Sequence, residues 1–319
     1  MHFTQFHNTT LSVNPGLTGI FNGDQRFLVA YRGQWHEANS PYSTFFGMFD
    51  QKYYNRKLKR AFLGYGGTIS YDRAGDSKLA LIQVNLNGSY TYTIDMENFL
   101  TGGLMVGVAQ RAFQFGGVSW DSQYDRGEGR YDPTLSAGEN LNDGGYLYPD
   151  FGLGLNYRGQ KTGRRSSVDV GAALFHIHKP NQSFEDQGVS KLEPKANFYL
   201  MQNLQVSPTV DLYWNGLAQI QSKYLEGLGG LGVRYHIDQR RGKELAIQAG
   251  AAFRFNAIGD AAIAMAEVHY QYLRLGFSYD INVSGFKQAT NRNGGPEVTL
   301  RYVVHFVKPI PVFRVCPII

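Results

Sequence analysis

The run Leu81-Ile82-Gln83-Val84-Asn85-Leu86-Asn87-Gly88-Ser89-Tyr90-Thr91-Tyr92-Thr93 alternates without a break. Ile82, Val84, Leu86, Gly88, Tyr90 and Tyr92 fall on one face of an extended chain, and Gln83, Asn85, Asn87, Ser89, Thr91 and Thr93 on the other. A side-chain period of two belongs to a β-strand. Strands of soluble proteins are typically about five or six residues long, whereas a strand that crosses a bilayer needs about nine to eleven. The length of this run, and the two tyrosines near its end, fit a membrane strand with an aromatic girdle.

The pattern recurs. Phe151, Leu153, Leu155 and Tyr157 alternate with Gly152, Gly154, Asn156 and Arg158, and Leu273, Leu275, Phe277, Tyr279 and Ile281 alternate with Arg274, Gly276, Ser278, Asp280 and Asn282. Charges on the polar face are tolerable against a wet lumen and costly in the core of a sandwich. Strands are therefore expected near 25–35, 43–51, 60–72, 78–93, 98–112, 147–158, 165–175, 195–203, 205–214, 217–236, 244–254, 261–270, 272–281 and 297–307. Splitting 217–236 at Glu226-Gly227 would leave an odd count, which a closed antiparallel barrel with both ends on one side does not allow. The fold class is thus all-β: a transmembrane antiparallel barrel of about fourteen strands, within a range of about twelve to sixteen.

The long connections 113–146, 176–194 and 282–296 all follow odd-numbered strands, so they share one end of the barrel. Long loops of such barrels face outward and short turns face the periplasm. The short side carries Lys52, Arg56, Lys57 and Lys59, then Lys161 and Arg164, then Arg240, Arg241 and Lys243. This basic rim suits anionic lipid head groups, or a periplasmic partner docked there. The domain reading is a leader over 1–24 that is a candidate lumen plug, the barrel over 25–307, and a periplasmic tail over 308–319. A fourteen-stranded barrel is too wide for wall side chains alone to fill. The tail, with Pro309, Pro311, Phe313, Cys316 and Pro317, is proline-stiffened and cannot join a regular ladder, so it is expected to dock on a partner or pack into the periplasmic mouth.

Composition agrees. The 319 residues include 21 Tyr, 21 Phe and 38 Gly, charged residues make up 18 %, and mean hydropathy is −0.32. Apolar residues spread thinly and alternately give such values, and no apolar run of about eighteen residues exists to form a helical span. No signal peptide is visible at Met1, so an exported chain reads here as a processed form. The net charge is +5, yet no nucleic-acid motif accompanies it. The lone cysteine, Cys316, makes no internal disulfide and supplies no metal cluster.

Nothing in the sequence points to catalysis or to a cofactor. His176 and His178 would face one side at a strand end, a spacing that can chelate, but no third ligand is suggested nearby. Ser70, Ser89 and Ser278 occupy polar positions without a telling histidine, and no nucleophile-elbow motif occurs. Gly64-Tyr65-Gly66-Gly67 and Gly227-Leu228-Gly229-Gly230 lie within strands and read as bends or close packing. The acidic loop 113–146 lacks a calcium-loop spacing. Ordered loops of such length are usually functional, which makes Trp120, Tyr124 and Tyr131 candidate partner-binding residues.

Specific residues then become recognisable. Phe3-Thr4-Gln5-Phe6, Asn14-Pro15-Gly16 with Gly19, Tyr31-Arg32-Gly33-Gln34-Trp35, Pro41-Tyr42-Ser43-Thr44 and Asp50 occur in order. They are followed by Tyr71-Asp72-Arg73-Ala74-Gly75-Asp76-Ser77, by Phe175-His176 with Lys179-Pro180-Asn181-Gln182-Ser183-Phe184, and by Leu275-Gly276-Phe277-Ser278-Tyr279-Asp280 with Ser284-Gly285 and Glu297. In this order and spacing the chain resembles the PorP/SprF family, outer-membrane components of the Bacteroidetes type IX secretion and gliding-motility system. The resemblance implies an outer-membrane location and a non-enzymatic role in secreting and anchoring large adhesins with a type B C-terminal domain. The implied partners are such an adhesin, periplasmic parts of the secretion machine and outer-membrane lipid, with no nucleic acid and no cofactor. Pro180, Asn181, Gln182, Ser183 and Phe184 join the aromatic loop residues as candidate cargo contacts, and Arg56, Lys57, Arg164, Arg240, Arg241, Phe313 and Cys316 are candidate periplasmic docking residues. The alternatives are an outer-membrane transporter of hydrophobic small molecules, an outer-membrane hydrolase and a passive porin. Polar lumen positions such as Gln83, Asn85, Asn87, Arg158, Arg274 and Asp280 weigh against the transporter.

Overall fold

The alternation seen in the sequence is realised as alternating exposure. Along Leu81–Thr93, Ile82, Val84, Leu86, Tyr90 and Tyr92 are exposed, whereas Asn87, Ser89 and Thr91 are buried. The apolar face thus looks out from the wall and the polar face looks into the barrel, the inverse of a water-soluble sheet. The computed structural model describes residues 3–34, 42–55, 57–75, 79–112, 121–135, 146–183, 189–240, 242–256, 261–284 and 292–306.

Fourteen strands form the wall: β1 (Gln25–Gln34), β2 (Tyr42–Tyr53), β3 (Ala61–Ala74), β4 (Leu79–Thr93), β5 (Asn98–Ala112), β6 (Tyr146–Gln160), β7 (Ser167–Phe175), β8 (Lys195–Gln205), β9 (Val210–Gln221), β10 (Tyr224–Asp238), β11 (Leu245–Phe255), β12 (Ala261–Tyr270), β13 (Leu273–Asn282) and β14 (Asn293–Val304). Each pairs antiparallel with its sequence neighbours. β1 closes the ring on β14, in register from Gln25 opposite Val304 to Arg32 opposite Glu297. Closure leaves no sheet edge unpaired, which lipid requires of any spanning sheet. Small bulges between His236 and Asp238 and between Asp280 and Ile281 adjust the register.

The expected strand number holds, and two boundaries move: the turn expected near 204 lies at 206–209, and the stretch expected as one strand over 217–236 is broken at Ser222-Lys223. The segments expected at 205–214 and 217–236 are instead β9 and β10, joined through Ser222 and Lys223. Asn215-Gly216 ordinarily marks a turn, but here both sit within β9, opposite Gly230 and Gly229. Ser222 takes the left-handed conformation that the tight turn needs (φ 54°).

Residues 3–24 run inside the barrel. They contribute Phe3, Phe6, Leu11, Val13, Leu17 and Ile20 to one apolar cluster with the inward-facing Leu28, Phe46, Met48, Leu217, Leu228, Ile263 and Met265. The molecule's main hydrophobic core is therefore in its lumen. Each large apolar side chain taken out of water there is worth about 1.5–3 kcal/mol. A short helix (Thr10–Val13) and a 3-10 turn (Pro15–Leu17) let the leader double over within that space.

Candidate functional site

The wall holds the leader at both ends. Near the long-loop end, the backbone N–H groups of Thr4 and Gln5 donate to the two carboxylate oxygens of Glu297, at 2.7 and 2.8 Å. The Thr4 hydroxyl accepts from Arg254 (2.6 Å) and Arg32 (3.2 Å) and donates to Asp280 (3.1 Å). Arg32 and Arg254 both reach Asp280, at 2.5 and 2.8 Å. All five side chains are buried, and the two guanidinium groups face two carboxylates. Such a cluster is tolerable in the lumen because its two guanidinium groups are answered by two carboxylates.

Lower down, Glu267 receives His7 (2.6 Å) and Asn8 (3.1 Å) from the leader and His269 (2.8 Å) from its own strand. Asn14 donates to the Leu155 carbonyl and the Tyr199 hydroxyl, both at 2.9 Å, while its Oδ1 caps the Gly16 N–H at 2.6 Å. The leader approaches the wall here at glycines. A Cβ on Gly103 would overlap the backbone of Pro15 and Gly16, and one on Gly154 would overlap Asn14. Further on, the Gly19 N–H donates to Asp50 at 2.7 Å, and Arg26 grips the same carboxylate with two bonds of 2.7 Å.

Beneath the leader lies a chamber of about 600 Å³, with Arg164, Gln239, Glu244 and Gln271 from the short turns at its mouth. Asp211 organises one side of it, accepting from Arg165 Nε at 3.0 Å and from His236 at 2.8 Å. Arg158 approaches Asp169 at 3.4 Å. Arg234 donates from Nε and Nη2 to Gln248, at 2.9 and 2.6 Å.

The loop residues singled out in the sequence separate into two groups. Tyr124 and Tyr131 meet across a small ribbon (Tyr124–Asp125 with Arg130–Tyr131), both exposed, with the Tyr131 hydroxyl on Gln123 at 3.1 Å. The ribbon's acids serve it locally: Asp125 caps Gly127, and the Thr134 hydroxyl and N–H hold the Asp132 carboxyl below the usual carboxylate range. Pro180 to Ser183 form the other group. Pro180 is buried, Asn181 pairs with Lys191 and its side chain accepts from Ser190 N–H at 2.8 Å, and Gln182 accepts from Arg111 of β5 at 2.9 Å. The segment is thus tied to residues 190–191 and to the end of β5, as its turn residues allow.

The expected histidine pair does not form. Its strand stops at Phe175 and His176 turns into the left-handed region (φ 58°), which breaks the alternation. His176 bonds Asp150 at 2.9 Å while His178 packs edge-on against Phe151. Ser89 and Ser278 engage the leader, through the Thr18 carbonyl (2.8 Å) and the Gln5 amide (3.2 Å).

Of the basic rim, Lys57 is exposed, Arg164 lines the chamber mouth and Arg240 pairs with Asp238 at 2.5 Å. Trp120, Phe184, Arg56, Arg241, Phe313 and Cys316 lie outside the described residues. Arg26, Arg32, Arg234, Arg254 and Arg301 were not among the sequence candidates. Their inward faces follow from the alternation, but their partners sit on strands far away in sequence.

Among solved structures, the barrel is similar to a FadL homologue of Pseudomonas aeruginosa (10 % identity, TM-score 0.54, covering 92 % of this chain and 93 % of that one). It is also similar to the monoaromatic hydrocarbon channel CymD (11 %, 0.54, 95 % and 94 %). The toluene transporter TbuX of Ralstonia pickettii matches as well (13 %, 0.51, 94 % and 94 %). At these identities the likeness is one of fold, that of an outer-membrane barrel. No curated protein matches the chain in sequence. The family model described as "Type IX secretion system membrane protein PorP/SprF" matches residues 1–302, and with that extent the chain, an outer-membrane β-barrel, belongs to the PorP/SprF family.

Proposed function

We propose that this barrel is a non-enzymatic docking element of the type IX secretion system that supports secretion and surface anchoring of large adhesins with a type B C-terminal domain. Its long-loop face, with Tyr124, Tyr131 and the 180–184 segment, meets the cargo. Its short-turn face, with Lys57, Arg164, Arg240 and the 308–319 tail, meets periplasmic components. Family membership supports the secretion role.

The observation that carries the reading is the leader. It is bonded to the wall from Glu297 near one end to Asp50 near the other, and its apolar side chains fill the space between. A lumen stoppered in this way suits a barrel that works through its faces. The similar barrels named as hydrocarbon channels and a toluene transporter share the fold at identities too low to carry their substrates across. The leader weighs equally against a passive porin. Ser89 and Ser278 are engaged by the leader, which supports a role without catalysis.

The test is affinity purification of the tagged protein from its native outer membrane in mild detergent, followed by mass spectrometry. Recovery of a very large secreted protein through its C-terminal domain is expected. Recovery of the barrel alone, with a hydrophobic small molecule bound, would overturn the reading in favour of transport.

A further inference from the structure

The chamber beneath the leader holds more positive charge than its own acids answer. Asp50 is taken by Arg26, Asp211 by Arg165, His236 and Arg234, and Glu267 by His7, His269 and Asn8. Arg274 and Arg301 stand directly opposite each other on β13 and β14, both lining the chamber. Among the described residues neither makes an ion pair or hydrogen bond, and the buried Nε of Arg301 has no partner. Arg301 is only 9 % exposed. Arg234, also on the chamber wall, donates to the neutral Gln248 and Asn203 and lies 3.8 Å from Asp211, which it shares with Arg165 and His236. The groups directly opposite the pair on the neighbouring strands are His269 of β12 and Leu28 of β1; the nearest anions, Glu267 of β12 and Asp50 of β2, are already bonded by His7, His269 and Asn8 and by Arg26.

Two adjacent guanidinium groups, Arg301 buried and Arg274 half-buried, repel one another and forfeit part of their hydration. The arrangement becomes favourable when an anion sits between them. Guanidinium is planar and donates in pairs, a geometry matched to phosphate and carboxylate oxygens. A volume of about 600 Å³ falls in the range of small-molecule sites. The wall separates the chamber from lipid, and its mouth is made of short-turn residues, so the ligand enters from the aqueous phase on that side.

We propose that Arg274 and Arg301, flanked by Arg234, form a binding site for a soluble polyvalent oxyanion of the phosphate class, admitted from the periplasmic side. The inference is independent of which cargo the barrel serves. Occupancy joins β13 and β14 to the floor of the leader and secures the lower end of the stopper.

The test uses the full chain in detergent at neutral pH and low ionic strength, with inorganic pyrophosphate as the probe. Calorimetric titration should give saturable binding, weakened by about tenfold or more in the R274Q/R301Q variant, as expected for loss of charge-assisted bonds. The variant K223Q, exposed at the opposite end of the barrel, should bind within about twofold of the parent, since a distant surface charge contributes little. Thermal unfolding of the unaltered protein gives a second readout that needs no variant. Pyrophosphate should raise the midpoint well beyond chloride of equal ionic strength. Absence of saturable binding, equal binding by R274Q/R301Q, or equal stabilisation by chloride would each overturn the proposal.

Discussion

Arg26 and Asp50 show how a single pair ties wall to leader. Asp50 is fully buried and accepts two bonds from Arg26 and one from the Gly19 N–H. The Arg26 guanidinium also donates to the Leu17 carbonyl and lies over the Phe21 ring, 4.6 Å from its centroid. Removing one member leaves the other charge buried without its counterion, which typically costs about 3–5 kcal/mol, whereas replacing both by apolar groups of similar volume is often nearly neutral. Arg26→Ala should therefore destabilise the barrel by about that amount in equilibrium unfolding from lipid vesicles, and the double variant R26M/D50L should recover most of the loss. If Arg26→Ala unfolds at the parent's denaturant midpoint, the pair is not a structural tie. The inward placement of both residues is legible in the sequence from the alternation around them. Their pairing is not, because it depends on the register between β1 and β2.

At the scale of elements, the strands were legible and the leader's path was not. A strand carries its period in its own residues, and lipid on one side with water or polar groups on the other enforces that period over its whole length. The largest exception, the boundary between β9 and β10, arose where Asn215-Gly216 imitates a turn while the actual turn residues, Ser222 and Lys223, carry no such signature. The leader has no period to read. Its position is fixed by contacts with residues more than a hundred positions away, such as Asn14 on Tyr199 and Thr4 on Glu297. Even so, Asn14-Pro15-Gly16 was conspicuous in the sequence, and the structure supplies the reason: this turn packs against Gly103 and Gly154 of β5 and β6, where any larger residue would collide with backbone or with Asn14 itself. Gly103→Val should thus push the leader off the wall while leaving the outward face of β5 unchanged. The expected readouts are protease cleavage within residues 3–24 and raised conductance in planar bilayers, both low in the parent. A variant that keeps its leader protected and its conductance low would refute the stopper role.

For the whole molecule, charge and connection length divide the barrel into two unlike ends. One end gathers the connections 113–145, 176–194 and 283–292; the other has only the turns 54–60, 94–97, 161–166, 206–209, 239–244 and 271–272. The arginine-lined chamber opens toward the short turns, so the basic residues read from the sequence as a rim continue inward as a basic vestibule. Barrels of this class insert with short turns in the periplasm, and both the docking and the oxyanion proposals depend on that orientation. It can be tested on the intact cell. In a Cys316→Ser background, Lys223→Cys and Thr134→Cys place an exposed thiol at the long-loop end, and Lys57→Cys and Arg240→Cys place one at the short-turn end. A membrane-impermeant maleimide should label the first two on intact cells and the second two only after the outer membrane is permeabilised. The reverse pattern would turn the chamber toward the medium. Cargo would then have to meet the short turns, and the oxyanion would have to come from outside the cell.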